Sequence, residues 1–234
     1  RQAGRRHDSR DQPPALLGLI PLTDLFEEPD DATPLTPDER QGLIPSDITY
    51  RHDLNRAEQE NIARAQDWAL SRRRDLLTEK FVRELHRRML GDVWRWAGDF
   101  RTKELNLGIP HYEVPIAMRE LLDDVKAWVE RRIYPLDEIA VRFHHRLVLI
   151  HPFPNGNGRH ARLLADLLIL QSGGERLTWG SANLQQAGDV RRRYIESLKS
   201  ADDHDIGPLL AFARSWRAPA TVTCSRGGRR RGSA

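Results

Sequence analysis

The sequence is poor in cysteine, and its single one, Cys224, lies near the C-terminal end. One thiol cannot form a disulfide within the chain, and it fits a reducing compartment. The segment ALLGLIPL follows an Arg-rich start as the apolar part of a secretory signal does, but Pro21 interrupts it and no small-residue cleavage pattern follows. We therefore expect a cytoplasmic location.

Long apolar runs and internal repeats are also missing. No stretch of the 234 residues is long and apolar enough to span a membrane, so we expect no membrane partner. This length allows one sizeable core. We predict one domain with loose ends.

Acidic residues are absent from the last part of the chain, where residues 214–234 hold six Arg. Residues 1–10 hold four Arg and one Asp, so the two ends contribute +6 and +3 to a total of +3, which leaves −6 for residues 11–213. The basic character thus belongs to the ends. Because no aromatic residues are interleaved with the arginines of the final segment CSRGGRRRGSA, we do not expect nucleic acid as a partner. The predicted organisation is a largely irregular tail over 1–44, a folded domain over 45–216 and a basic, disordered tail over 217–234.

Helical periodicity runs through nearly all of the sequence past residue 50. Start and stop signals predict helices from the capping box Asn55/Glu58 to about Arg74, from Thr78 to Gly91, from Pro115, from Asp137 to His151, from about Arg159 to Gly173, from Val190 to Ser200 and from Pro208 to Trp216. Residues 102–114, TKELNLGIPHYEV, alternate instead and predict a short β-hairpin. The predicted fold class is an all-α bundle with one hairpin.

The segment HPFPNGNGRHAR, residues 151–162, is the strongest functional signal. Its glycines permit positive φ, so backbone N–H groups can converge on an anion, and the next helix adds the positive end of its dipole. Arg159 and Arg162 lie three residues apart on that helix and can bind phosphate oxygens. The spacing predicts a polyphosphate site.

His151 precedes this loop and is the candidate general base, because an unperturbed imidazole titrates near neutral pH. No Ser or Cys inside the motif can act as a nucleophile, so the acceptor hydroxyl should belong to a substrate. His144, His145 and His160 lack the i,i+4 spacing of a helical zinc motif, and we expect no zinc site.

The segment resembles the signature of the Fic family, HxFx[D/E]GNGRxxR, and the likeness covers about residues 45–216. The flanking text LIPSDITYRHDLNRAEQENI and WRWAGDFRT is similar to the bacterial branch called mobile mystery protein B. The resemblance implies a Fic-type helical bundle that uses ATP and Mg²⁺ to move AMP onto a Ser, Thr or Tyr hydroxyl of a target protein.

The resemblance also implies residue roles. His151 would be the base, and Thr102 to Val114 would be a flap that holds the target by adding a strand. Catalytic roles would fall to His151, Asn157, Arg159 and Arg162. The nucleotide would be bound by Phe153, Gly156, Asn157, Gly158, Arg159, Arg162 and, from a later helix, Tyr194.

Two positions depart from the family pattern. Asn155 stands where the family has a metal-binding carboxylate, and an amide oxygen can ligate Mg²⁺ but brings no charge, so we expect weakened rather than abolished catalysis. Glu60-Asn61 resembles the end of the inhibitory pattern [S/T]xxxE[G/N], whose Glu pairs with the second motif Arg. Its first position is Arg56, so half of the pattern matches, and a solvated helix glutamate is the alternative.

Three other functions stay open. The Doc-like branch transfers the γ-phosphate, but it has Lys at the position of Gly158. A phosphodiesterase that removes AMP would need Glu60 to position water. A nucleotide-binding or toxin-like module of a mobile element, with little or no turnover, would follow if Asn155 spoils the metal site.

Overall fold

The computed structural model describes residues 41–181 and 188–215. Within these ranges the chain is all-α, as predicted. The seven helices of these ranges are α1 (Arg51–Leu70), α2 (Glu79–Leu90), α3 (Val114–Arg131), α4 (Leu136–Ile150), α5 (Asn157–Gln171), α6 (Asp189–Asp202) and α7 (Gly207–Ala213). The expected tails, over 1–44 and 217–234, lie almost wholly outside the described residues.

Helix α5 is the central helix of the bundle, as its apolar sequence predicts, and α4 packs along it. One side of this pair meets α1, α2 and α3 in a core that includes Phe143, Leu147 and Leu164. The other side meets α6 and α7 through Ala165 and Ile169. The loop between α4 and α5 is thereby held between two cores.

Local signals placed several helix ends correctly. The Thr78 hydroxyl accepts the Phe81 N–H at 3.2 Å, and Gly91 follows the last residue of α2. Pro115 lies in the first turn of α3, where its missing N–H costs nothing. The capping box was wrong: α1 begins at Arg51, so Asn55 lies inside the helix and Glu58 is free for other contacts.

The predicted hairpin over 102–114, which we call the flap, is also wrong. The described flap contains no strand, and its end forms a 3-10 turn at His111–Glu113. Gly108 takes a positive φ of 97°, and the backbone then turns into α3. Alternating apolar residues indicate a strand only where a partner strand is available, and the described chain offers none here.

None of the helices in the described ranges is long and apolar enough to cross a membrane.

Candidate active site

The loop between α4 and α5 has the backbone that its glycines predict. His151 caps α4 with a left-handed φ of 52°, and Gly156 precedes α5 with φ of 79°. A Cβ on Gly156 would lie 2.6 Å from Leu90 Cδ1, so both conformation and space require glycine there. Helix α5 then begins without a capping side chain, which leaves the amides of its first turn available to an anion.

Asn157 holds this loop in shape. Its side-chain oxygen accepts the Phe153 N–H at 3.0 Å, and its amide nitrogen donates to the Phe153 carbonyl at 2.8 Å. Phe153 is fully buried and anchors the loop in the core. Both polar groups of the Asn157 side chain are thus used inside the loop, and its contribution to a phosphate site comes from the backbone.

His86 on α2 supports the loop from below and was not predicted from the sequence. Its Nδ1 accepts the Gly98 N–H at 2.9 Å, so Nε2 carries the proton and donates to the Asn155 carbonyl at 3.0 Å. The ring stacks on Phe153 with 3.7 Å between centroids. Burial lowers the pKa of His86 to about 4 and keeps it neutral. The position of a histidine on the apolar face of a helix does not predict from the sequence that it will contact this loop.

His151 lies at the mouth of the loop with its imidazole neutral. Burial lowers the pKa of His151 to about 4, the Val148 carbonyl opposes this shift, and Arg101 adds to it. The sequence predicted a base that titrates near neutrality, and the fold makes it a weaker one that stays unprotonated down to acid pH. An anion bound beside it would raise its pKa again.

The flap lies directly over His151. Arg101, at the base of the flap, donates from Nε to the His151 carbonyl at 2.7 Å and from its guanidinium to the Ile109 carbonyl. A Cβ on Gly108 would lie 2.6 Å from the His151 Cβ. The flap is therefore fastened at van der Waals distance from the candidate base, although it forms no strand.

Arg159 is paired with Glu58 of α1. Its Nη1 lies 2.7 Å from Glu58 Oε2, while Trp94 Nε1 donates to Glu58 Oε1 at 2.6 Å. Only 5% of the Glu58 side chain and 14% of the Arg159 side chain are exposed. The arginine predicted to bind phosphate is thus held by a buried carboxylate.

Glu60, the predicted inhibitory residue, is exposed on α1. It lines an open groove with Asp53 and Arg56, away from the motif arginines. The carboxylate that reaches a motif arginine is Glu58, two residues earlier, and its partner is Arg159 rather than Arg162. One signal could have indicated Glu58: it falls on the face of α1 that also carries the buried Leu54 and Ala65.

Arg162 points to α6 instead. Its guanidinium carbon lies 5.6 Å from the centroid of the Tyr194 ring, and its charge acts against the rise that burial causes in the pKa of Tyr194. Tyr194 is buried, and its hydroxyl lies 3.0 Å from His144 Nε2. Arg159 and Arg162, expected to project together, are therefore held by different helices.

The metal site is sparse. Asn155 is exposed, and its side-chain oxygen accepts the Gly156 N–H at 2.6 Å. The described residues contain no group of three His, Cys, Asp or Glu that could hold a metal ion. His145 and His160 bind elsewhere, to Asp202 and to the Val82 carbonyl. Among these residues only Asn155 could bind Mg²⁺. It would be a single neutral ligand, and the phosphate oxygens of ATP would have to supply the others.

The family model for the Fic/DOC family matches residues 76–169, which run from the segment before α2 almost to the end of α5. Residues 76–169 are therefore similar to the Fic/DOC family. The matched segment includes His86, the flap and the whole motif. Glu58 precedes the matched segment, and Tyr194 follows it.

Among curated proteins the chain is similar to protein adenylyltransferase fic-1 of Caenorhabditis elegans, at 32% identity over 61% of this chain and 28% of that protein. It is similar to protein adenylyltransferase Fic of Aedes aegypti at 30% identity, with the same coverage. The chain thus spans about 28% of the length of these relatives.

Solved structures of Fic domains have a similar fold. Fic-1 (residues 134–508) of C. elegans matches with a TM-score of 0.52 and 26% identity over 75% of this chain and 51% of that one. The N-terminal Fic domain of a Bartonella quintana effector with bound ADP matches with a TM-score of 0.57 over 73% of this chain and 87% of that one. Its 16% identity supports the fold alone.

Proposed function

We propose that this protein is an adenylyltransferase that moves AMP from ATP onto a Ser, Thr or Tyr hydroxyl of a target protein. The observation that carries the proposal is a neutral imidazole, His151, at the end of α4, joined to the uncapped start of α5 by the loop that Asn157 holds in shape. The curated relatives named as protein adenylyltransferases support it. We propose that residues 45–216 form the Fic-type domain and that this domain belongs to the mobile mystery protein B branch. We also propose that the protein is located in the cytoplasm.

In the proposed reaction, the target hydroxyl attacks the α-phosphorus of ATP, and pyrophosphate leaves. His151 accepts the hydroxyl proton, while the first-turn amides of α5 with Arg159 and Arg162 hold the phosphate oxygens. Mg²⁺, held by the phosphates and Asn155, would neutralise charge on the leaving group. The flap fixes the target segment over His151 through Arg101 and Gly108.

We further propose that Glu58, in place of Glu60, restrains the enzyme. Arg159 has to leave Glu58 before it can bind a phosphate, and the carboxylate itself repels an anion at that place. Glu58 is also fixed by the Trp94 N–H, so it does not follow the arginine. The same chain would thereby supply its own inhibitory contact, with no separate partner.

The test uses purified full chain, bacterial lysate and ATP labelled at the α- or the γ-phosphate. Label from α-labelled ATP on a protein band, lost in His151→Ala, is the expected result. Label from γ-labelled ATP alone would indicate phosphate transfer of the Doc-like type. If Glu58→Gln also yields no label from either, adenylyl transfer is refuted.

A second candidate function is a nucleotide-binding module with little turnover. The observation in its favour is Asn155, which gives the metal a neutral ligand and whose oxygen is turned back to the Gly156 N–H. Calorimetry would then detect ATP binding without product, and Asn155→Asp would restore transfer if the missing charge is the cause.

A further inference from the structure

Polar side chains from three helices form a chain that ends at the motif. The Arg162 guanidinium of α5 lies beside Tyr194 of α6 and acts against the rise of its pKa, and the Tyr194 hydroxyl lies 3.0 Å from Nε2 of His144 on α4. His144 is fully buried, and Tyr194 is 8% exposed. We call these residues the Arg162–Tyr194–His144 relay.

The direction of each hydrogen bond follows from the groups. A guanidinium only donates, so Arg162 can only be a donor towards the Tyr194 oxygen. The hydroxyl proton can then go to His144 Nε2, provided that this nitrogen is unprotonated. Burial and the charge of Arg162 lower the pKa of His144 well below its usual value, and burial raises the pKa of Tyr194. Both rings are therefore neutral, and the relay runs from Arg162 through Tyr194 to His144.

Packing alone does not explain this arrangement. His144 Nδ1 is buried and has only the Ala161 carbonyl near it, without a well-formed hydrogen bond, and a poorly satisfied buried polar atom lowers stability. The ring lies 4.4 Å, between centroids, from Trp179 in an apolar setting. An apolar side chain of the same size would avoid this cost. What His144 provides and an apolar residue cannot is an acceptor for the Tyr194 proton.

The other end of the relay reaches the proposed phosphate site. A Cβ on Gly158 would lie 3.6 Å from Arg162 Nη1 and 4.0 Å from the Tyr194 hydroxyl. The guanidinium therefore lies against the first turn of α5, where the amides are available to an anion. In contrast to Arg159, Arg162 forms no ion pair with a described residue. Its orientation thus depends on Tyr194.

We propose that Tyr194 and His144 are positioning residues that set the orientation of the Arg162 guanidinium for the outer phosphates of ATP. Tyr194 then acts through Arg162, which replaces the direct nucleotide contact predicted from the sequence. This inference rests on the proposed function only in taking ATP as the ligand. His144 is required because it fixes the direction of the Tyr194 hydroxyl.

The test compares Tyr194→Phe, His144→Gln and the double variant by calorimetry with ATP and AMP. The control is Tyr134→Phe, since Tyr134 also lies under an arginine, Arg142, at 4.5 Å, but away from the motif. We expect ATP to bind about fivefold to tenfold more weakly to Tyr194→Phe, as for the loss of one hydrogen bond to a charged group, with AMP affinity unchanged. The double variant should bind ATP no more weakly than Tyr194→Phe, because His144 acts only through the hydroxyl.

A second readout does not require binding. The ¹⁵N chemical shifts of His144 should indicate the Nδ1–H tautomer in the wild type and should change in Tyr194→Phe. A proton on Nε2, equal losses for ATP and AMP, or additive losses in the double variant would each overturn the relay. If the wild type binds no ATP, the proposed function fails instead, and the tautomer still decides whether the relay exists.

Discussion

Replacing Glu58 by Gln should strengthen ATP binding. The change removes the charge that holds Arg159, and the side chain keeps its size. The one amide oxygen of Gln can accept the Trp94 N–H, which leaves its NH₂ group towards Arg159 and gives Arg159 no acceptor. The packing of α1 against α5 is thereby preserved. Glu60→Gln is the matched control, because it makes the same chemical change two residues along the same helix on an exposed side chain.

The magnitude follows from the contact at 2.7 Å between Arg159 Nη1 and Glu58 Oε2. A hydrogen bond to a charged group contributes about 1.5 to 3 kcal/mol, and the Gln amide group that faces Arg159 offers it no acceptor. Arg159 would thus be released at a cost about 1.5 to 3 kcal/mol lower. Since ATP has to displace this contact, its affinity should rise about tenfold to a hundredfold.

The assay is calorimetric titration of ATP into the wild type, Glu58→Gln and Glu60→Gln at moderate salt, well below the unfolding temperature of each. Unfolding is followed in parallel, because the buried Arg159 loses its counter-charge and some stability with it. The reasoning is refuted if Glu58→Gln binds ATP as the wild type does. It is also refuted if ATP affinity rises equally in Glu58→Gln and Glu60→Gln, because the loss of any negative charge on α1 would then explain the gain.

Four further predictions concern the same site. Asn155→Asp should lower the Mg²⁺ concentration needed for turnover because a carboxylate adds charge; an unchanged Mg²⁺ dependence would contradict it. Gly108→Ala should reduce AMP transfer on the order of 100-fold with ATP affinity unchanged, because a Cβ pushes the flap off His151; calorimetry beside the transfer assay decides. The acid limb of kcat/KM for ATP, which reports the free enzyme, should lie near pH 4, since protonation of His151 disables the base only there; a limb near pH 6.5 would argue against it. The pKa of His86 lies below its unfolded value of about 6.5, so the stability it contributes is present above that pH and falls by about 2 kcal/mol by pH 5; urea titrations should find this loss removed in His86→Gln but not in the equally buried Val125→Ala.

Much of the fold could be predicted because helices are encoded locally. The apolar spacing of α2 and α5, the hydroxyl of Thr78 and the glycine after α2 act within a few residues of the backbone that they shape. The motif loop was predictable for the same reason, since Gly156 meets a local demand for positive φ. The flap failed because a strand needs a partner that local alternation cannot supply.

Partners across the fold were not predictable. Glu58 and Arg159 are 101 residues apart, and only the packing of α1 against α5 brings their charges together. From the sequence Glu58 was assigned to a capping box and Glu60 to the inhibitory contact, because a helix pattern does not specify which neighbour covers its buried face. The contacts of His86 and His144 could not be predicted for the same reason, since the burial of a side chain and the direction of its hydrogen bonds are set only when the helices pack together.

The sequence by itself determined that this chain is helical and that a glycine-bearing loop leads from His151 into the helix that carries Arg159 and Arg162. Those features depend on backbone preferences of neighbouring residues. The tertiary structure alone decided that Arg159 is held by Glu58, that Arg162 is held by Tyr194 and that the base titrates near pH 4. Pairing and desolvation depend on distances between side chains that lie far apart in the sequence, and these distances exist only in the folded chain.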